Sequence, residues 1–289
     1  MLKDKIYIVK KQCITVYSSN TPFMKIKYSK IKELINPWDV AACDLNNYVY
    51  VLDIRSASVW RVSDDLSISE LISVIPNARL LSISSNGEIV ISDTKTIDVY
   101  NSTGTKLTSV VLHYQMTNIS CIRQSPRGTF YVSHCGSTGM FRISEMFKNG
   151  EVFRSFIGLK ESKECGKNKD TIRTNISTVS KHKTDTEIIQ PCNSRKEGRR
   201  EYQSYNVPII LNKDGRLIVL DNCNSRILLL DSKLNLQRIL MSFADNDQPN
   251  YGYRSMTYEE TSGCILLDNL VDRSVQMYKL HQNIKPRRF

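Results

Sequence analysis

Short apolar runs alternate with short polar turns along this chain, and one such pattern recurs. A mostly apolar strand of about five residues ends in Asp or His, a polar turn follows, and a second apolar strand comes next. The copies span 49–53, 89–93, 130–134, 217–221 and 264–268, ending in the anchor residues Asp53, Asp93, His134, Asp221 and Asp268. The anchors are 40, 41, 87 and 47 residues apart, and 87 is one period of 41 plus 46 further residues. A weaker copy, 6–10, lies 43 residues before Asp53 when measured from Lys10. Periods of about 40–45 residues with several short strands each are the mark of propeller blades.

Each copy reads as a chain of hairpins. A first strand such as 38–42 precedes the turn 44–47, whose counterparts are 85–87, 125–128 and 212–215. Gly87, Gly128 and Gly215 can take the positive φ that tight hairpins need. The anchor strand follows, then a third strand at 59–62, 97–100, 140–143, 227–230 and 275–278. A more polar fourth strand, as at 236–240, suits an outer edge. The near-continuous apolar anchor strands call for burial on both faces, which no single repeat supplies, so the repeats must stack on one another. The expectation is an all-β fold, a six-bladed β-propeller, with residues 1–289 forming one domain. Five residues precede Ile6, too few for an innermost strand in the first blade. A ring closing without that strand and a fragment of a longer protein both accommodate this.

The stretch Asn222-Cys223-Asn224-Ser225-Arg226-Ile227, following the apolar run 217–221, resembles the core of an NHL repeat. That motif runs Asp-Gly, an apolar strand ending in Asp, then a turn carrying Asn and Arg before another apolar strand. Residues 205–242 match it closely, and 36–74 match through Asn36-Pro37-Trp38-Asp39-Val40 and 53–61; the other copies are looser. The resemblance covers roughly 240 residues and is similar to the C-terminal domain of tripartite-motif NHL proteins. It implies a six-bladed propeller and is unspecific for function. No zinc-spaced Cys/His cluster of a RING finger or B-box accompanies it.

Residues 159–204 interrupt the rhythm between the fourth and fifth repeats. They carry eleven basic and seven acidic residues and little apolar content, the composition of a mobile charged loop. Within them, 171–179 is the stretch that could pair as a strand. Because blade strands alternate in direction, this insert should overhang the end that carries the turns after the anchors. Those turns hold Arg55, Lys95, His134, Arg226 and Arg273, a basic face.

Two readings of that face compete. Arg226 and Arg273 could pair with Asp221 and Asp268, or with an Asp of a neighbouring blade, and tie their turns down. Alternatively the face binds a partner, either a protein or single-stranded RNA. RNA would need stacking aromatics, for which Tyr253, together with Tyr114, Tyr205 and Tyr251, is placed in blade connections. Trp38 and Trp60 each sit in an apolar strand and read as core.

Composition adjusts this picture modestly. The chain has 289 residues, with 40 Lys+Arg against 29 Asp+Glu for a net charge of +11, which favours acidic or phosphate-rich partners. No apolar run is long enough for a membrane helix, so no membrane association is expected, and no DNA partner either. The eight cysteines include no C-x-x-C pair, and the start lacks the apolar core of a secretory signal. Reduced thiols in a cytoplasmic protein are the expectation. Asn101, Asn118 and Asn175 begin glycosylation sequons, which matter only in a secreted chain.

Signals for catalysis are sparse. The histidines lie scattered at 113, 134, 182 and 281, against the three-histidine zinc site of peptidyl-hydroxyglycine lyase propellers. Asn36 precedes Pro37 where gluconolactonase-type calcium propellers place a metal-binding Glu. No G-x-S-x-G, phosphate-loop or H-E-x-x-H motif occurs. The leading expectation is a non-catalytic interaction scaffold needing no cofactor. The alternative is a metal-dependent hydrolase or lyase with its site in the central channel.

Overall fold

The computed structural model describes residues 5–18, 24–72, 77–113, 116–135, 141–158, 177–178, 207–243, 253–259, 263–269 and 274–279. Six antiparallel sheets follow one another along these residues. Sheet one holds β1 (Lys5–Lys10), β2 (Cys13–Ser18) and β3 (Lys25–Lys30). Sheet two holds β4 (Pro37–Cys43), β5 (Tyr48–Asp53), β6 (Ser58–Val62) and β7 (Ile68–Ile72). Sheet three holds β8 (Leu80–Ile83), β9 (Ile89–Ser92), β10 (Thr96–Tyr100) and β11 (Lys106–Val111). Sheet four holds β12 (Thr117–Gln124), β13 (Phe130–Cys135), β14 (Phe141–Met146), β15 (Val152–Ile157) and β16 (Ser177–Thr178). Sheet five holds β17 (Ile209–Leu211), β18 (Leu217–Asp221), β19 (Arg226–Leu230) and β20 (Leu236–Ser242). Sheet six holds β21 (Tyr253–Glu259), β22 (Cys264–Asn269) and β23 (Ser274–Lys279).

The order within every sheet is sequential, so each sheet is a meander. The three turns whose glycine the sequence singled out share one construction. The N–H of Gly87, Gly128 or Gly215 donates to the carbonyl of the residue three before it, at 2.9–3.0 Å. Their φ values of 76°, 81° and 74° are ones that a side-chain-bearing residue adopts only at a cost. The anchors fall one per sheet: Asp53 in sheet two, Asp93 directly after β9, His134 in sheet four, Asp221 in sheet five and Asp268 in sheet six. Of the insert 159–204, only Ser177–Thr178 belongs to the described residues, pairing antiparallel with Arg154 and Ser155 of β15. The rest of it lies outside them.

The anchor strands are buried along almost their whole length, as their apolar runs require. Four pairs of consecutive sheets share the resulting cores. Ile14 and Val16 of sheet one pack with Val49, Val51 and Val62 of sheet two. The opposite face of sheet two, with Tyr50, Leu52 and Val59, packs on Leu81, Ile89 and Ile91 of sheet three. Phe141, Ile143 and Phe156 of sheet four meet Ile209, Val219 and Leu228 of sheet five. Ile218, Leu220 and Ile227 on the other face of sheet five meet Met256, Ile265 and Leu267 of sheet six. Each such aliphatic side chain contributes about 1.5–3 kcal/mol on burial. The sheets of each of these pairs therefore depend on one another for stability.

The described residues fall into two compact units. The first contains sheets one to three together with Ile122–Phe130 and Phe147–Glu151. The second contains Gln115–Cys121, Tyr131–Met146 and sheets five and six.

Candidate interaction site

The turns after Asp53, Asp93 and Asp221 are built by these anchors themselves. Asp53 is fully buried, and its Oδ1 accepts from the N–H groups of Arg55 (3.0 Å) and Ser56 (3.1 Å). Its Oδ2 accepts from the N–H of Asn36 at 2.8 Å, joining the turn to the start of β4. Asp93 caps the next turn in the same way, accepting from the N–H groups of Lys95 and Thr96 at 2.6 Å each. Asp221 accepts from the N–H of Asn224 at 3.2 Å and from the Nε of Arg226 at 2.9 Å. A carboxylate that satisfies otherwise orphaned turn amides is a structural group, which explains Asp at the anchor position. Burial holds the Asp221 carboxyl above the usual carboxylate range, with Asn224 and Arg226 pulling the other way.

The residues expected to form a basic face separate into two kinds. Arg55 and Lys95 are exposed, two positions beyond their anchors, and neither side chain has a hydrogen-bond or ion-pair partner among the described residues. Arg226 is only 7% exposed and is paired with Asp221, so the structural reading of this arginine is the one the geometry realises. His134 is 5% exposed, and its Nε2 meets Ser144 Oγ at 2.9 Å, which in turn meets Ser155 Oγ at 2.8 Å. This imidazole is occupied across sheet four and presents nothing to a partner. Tyr253 differs from its expected role as a stacking platform. It opens β21 with 2% exposure, and its Oη donates to Gln276 Oε1 at 2.8 Å. Its ring packs 5.5 Å from that of Phe243. Arg273, Tyr114, Tyr205 and Tyr251 lie outside the described residues.

Trp38 also departs from its expected place in the core, in the opposite direction. Pro37 pairs with Asp53 and Asp39 pairs with Leu52, which leaves Trp38 as the extra residue of a β-bulge. Bulges bend a strand and re-aim a side chain, and here the indole is 44% exposed. Asp39 fastens the bulge, accepting from the N–H of Val40 at 2.9 Å through Oδ1 and from that of Leu81 in β8 at 2.8 Å through Oδ2. Trp60, half-buried, directs its Nε1 toward Ser56 Oγ at 3.4 Å.

The re-aimed indole borders a cleft of about 340 Å³ between sheets two and three. Leu52, Ile54, Ala57 and Ala78 supply apolar walls, and Asn77 and Arg79 supply polar ones. Arg79 anchors its backbone through an N–H bond to the carbonyl of Ser92 at 2.8 Å. Its exposed guanidinium, like that of Arg55 in the adjoining turn, has no hydrogen-bond or ion-pair partner among the described residues. No acidic side chain is among the described residues that line the cleft. Among the described residues, no three His, Cys, Asp or Glu side chains come together as a metal-binding set. Sequence patterning indicated Arg55; it gave no sign of Arg79 or of the exposed Trp38.

No protein family matches the chain by its sequence pattern, and no curated protein matches it by sequence. Solved structures do match it in backbone. Hydrazine synthase of Kuenenia stuttgartiensis aligns with a TM-score of 0.58 at 12% identity, covering 96% of this chain and 93% of that one. Virginiamycin B lyase from Staphylococcus aureus aligns at 0.54 and 10% identity, covering 97% and 83%. A chain of the nidogen/laminin complex aligns at 0.54 and 13% identity, covering 96% and 94%. The fold is a six-bladed β-propeller. The six sheets are its blades, and the cleft lies between blades two and three. At these identities the likeness extends to fold and no further, since propellers host unrelated functions.

Proposed function

We propose that this protein is a non-catalytic interaction module that holds a protein partner at the cleft between blades two and three. The observation that carries the reading is Trp38, turned outward by its bulge and 44% exposed beside the unpaired Arg79. Tryptophan and arginine dominate the energetics of protein interfaces because each buries a large surface around a polar group. What the acidic groups do supports a non-catalytic role. Asp53, Asp93 and Asp221 are engaged with turn amides, which leaves them poorly placed to hold a metal or move a proton.

A protein partner accords with the apolar walls of the cleft better than RNA does, because Tyr253 is buried with its ring against Phe243. The NHL-like form of the turns belongs to the same reading, as does a reducing, cytoplasmic setting. All five cysteines whose side chains are described are free thiols.

The test is affinity capture from a cell extract on immobilised wild-type chain and on Trp38→Ala and Arg79→Gln variants of equal thermal stability. A protein retained by the wild type and lost from both variants is the expected result. Equal retention on all three refutes the site, and retention abolished by ribonuclease replaces the protein partner with RNA.

A further inference from the structure

The composition of the cleft narrows what it can hold, given the reading that it is a protein-binding site. We infer that its ligand is an acidic peptide segment that inserts one aromatic side chain against Trp38 and sets a neighbouring carboxylate on Arg79. Three features converge on this class. The walls from Leu52, Ile54, Ala57 and Ala78, with the exposed indole, form an apolar slot in which a second ring can stack or meet edge to face. A volume of about 340 Å³ sits at the small end of ligand cavities, room for one or two side chains rather than a large cofactor. Two exposed guanidiniums, Arg79 in the lining and Arg55 in the adjoining turn, have no ion-pair partner among the described residues, and no acidic side chain is among those that line the cleft.

The electrostatics have one sign because the nearby carboxylates are already engaged. Asp53 accepts three backbone N–H bonds and Asp39 accepts two, so neither turns toward the arginines as a counter-ion. A peptide carboxylate can therefore meet Arg79 in the two-pronged geometry that guanidinium favours, with Arg55 adding attraction from the adjoining turn. The chain's net charge of +11 steers such a segment inward. The bulge matters to the mechanism because it is locked at both ends: Pro37 pairs with Asp53, and Asp39 binds Leu81 of the next blade. The indole is thus presented by a rigid strand, and little ordering is required when the ligand arrives.

Binding is read on the full chain by fluorescence anisotropy with a dye-labelled peptide, Glu-Glu-Phe-Glu-Glu, capped at both ends. Two control peptides replace Phe by Ala or every Glu by Lys. The Phe peptide is expected to bind at least about tenfold more tightly than either control, and Arg79→Gln should weaken it about tenfold. Arg79→Lys, which keeps the charge and loses the fork, should recover only part of that affinity. In a Trp60→Phe background, where Trp38 is the remaining tryptophan, the same peptide should shift the emission to the blue. Equal binding of the three peptides overturns the inference, as does affinity unchanged by Arg79→Gln. The peptide comparison on wild-type chain decides even where a variant folds poorly. The two proposals fail separately. A captured partner that depends on Trp38 but carries no acidic-aromatic segment refutes the ligand class alone, and capture indifferent to Trp38 refutes the site itself.

Discussion

The turn after Asp53 in blade two and the turn after Asp221 in blade five start from the same anchor and end differently. Both anchors are fully buried and both accept backbone N–H bonds from their own turns. Both turns pass through a left-handed residue four positions on, Ala57 at φ 52° and Ser225 at φ 48°. The position opposite the anchor decides the outcome. In blade five it is Arg226, whose guanidinium folds back onto Asp221 and is buried with it. In blade two it is Ser58, which donates to Glu70 Oε1 at 2.5 Å instead. The arginine of that turn stands two residues beyond the anchor, where only its backbone reaches the carboxylate. One arginine is therefore part of the fold and the other is left at the surface beside the cleft. Arginine content alone does not distinguish the two cases; its place relative to the strand pairing does.

Substitutions should separate the two turns by stability. Asp221→Ala strands a buried guanidinium and is expected to cost about 3–5 kcal/mol in denaturant unfolding. Arg55→Ala should leave stability within about 0.5 kcal/mol, as for other surface positions. Equal losses for the two variants would break the distinction between a structural and a surface arginine.

A smaller effect should be common to both turns. Glycine takes the left-handed conformation at no steric cost, so Ala57→Gly and Ser225→Gly should each be neutral or stabilising by up to about 1 kcal/mol. A loss at either position, measured by thermal unfolding, would show that the side chain contributes packing that outweighs the backbone strain.

The smallest effect is in pH dependence, where two aspartates should differ in sign. The Asp221 carboxyl is raised by burial, so its contribution to stability is fully present below the unfolded pKa and is lost as pH rises through the folded one. Asp64 in the first unit is lowered, chiefly by its hydrogen bond from Lys5 at 2.5 Å. Its contribution, reduced by solvent screening, is present above the unfolded pKa and lost as pH falls. Comparing wild type with Asp221→Asn and Asp64→Asn across pH 3–6 should give stability differences of opposite slope. Slopes of one sign would remove the assigned causes.

Much of this was open to inspection in the residue pattern, and the exceptions have identifiable causes. The apolar runs sufficed for the repeat and the strand order, and the Asp-turn-Arg arrangement at 221–226 offered the Asp221–Arg226 pair as one of two readings, because each depends on residues close in sequence. Trp38 was misplaced because alternation within a strand assumes regular pairing, and the two-for-one register opposite Asp53 and Leu52 breaks it. Tyr253 was misplaced because the strand β21 begins at that residue, and the Gln276 side-chain carbonyl oxygen that accepts from its hydroxyl lies in another strand. Arg79 carried no motif at all. It acquires meaning only through the cleft formed where blade three packs on blade two.

The sequence by itself therefore determined the repeat and the number of blades, both set by short-range patterns of apolar burial and backbone turns. Only the tertiary structure decided which arginines are consumed by the fold, which tryptophan faces solvent and where a cleft opens. Those outcomes depend on strand register and on side chains from neighbouring blades, and contacts between residues some 40 positions apart leave no local mark in the chain.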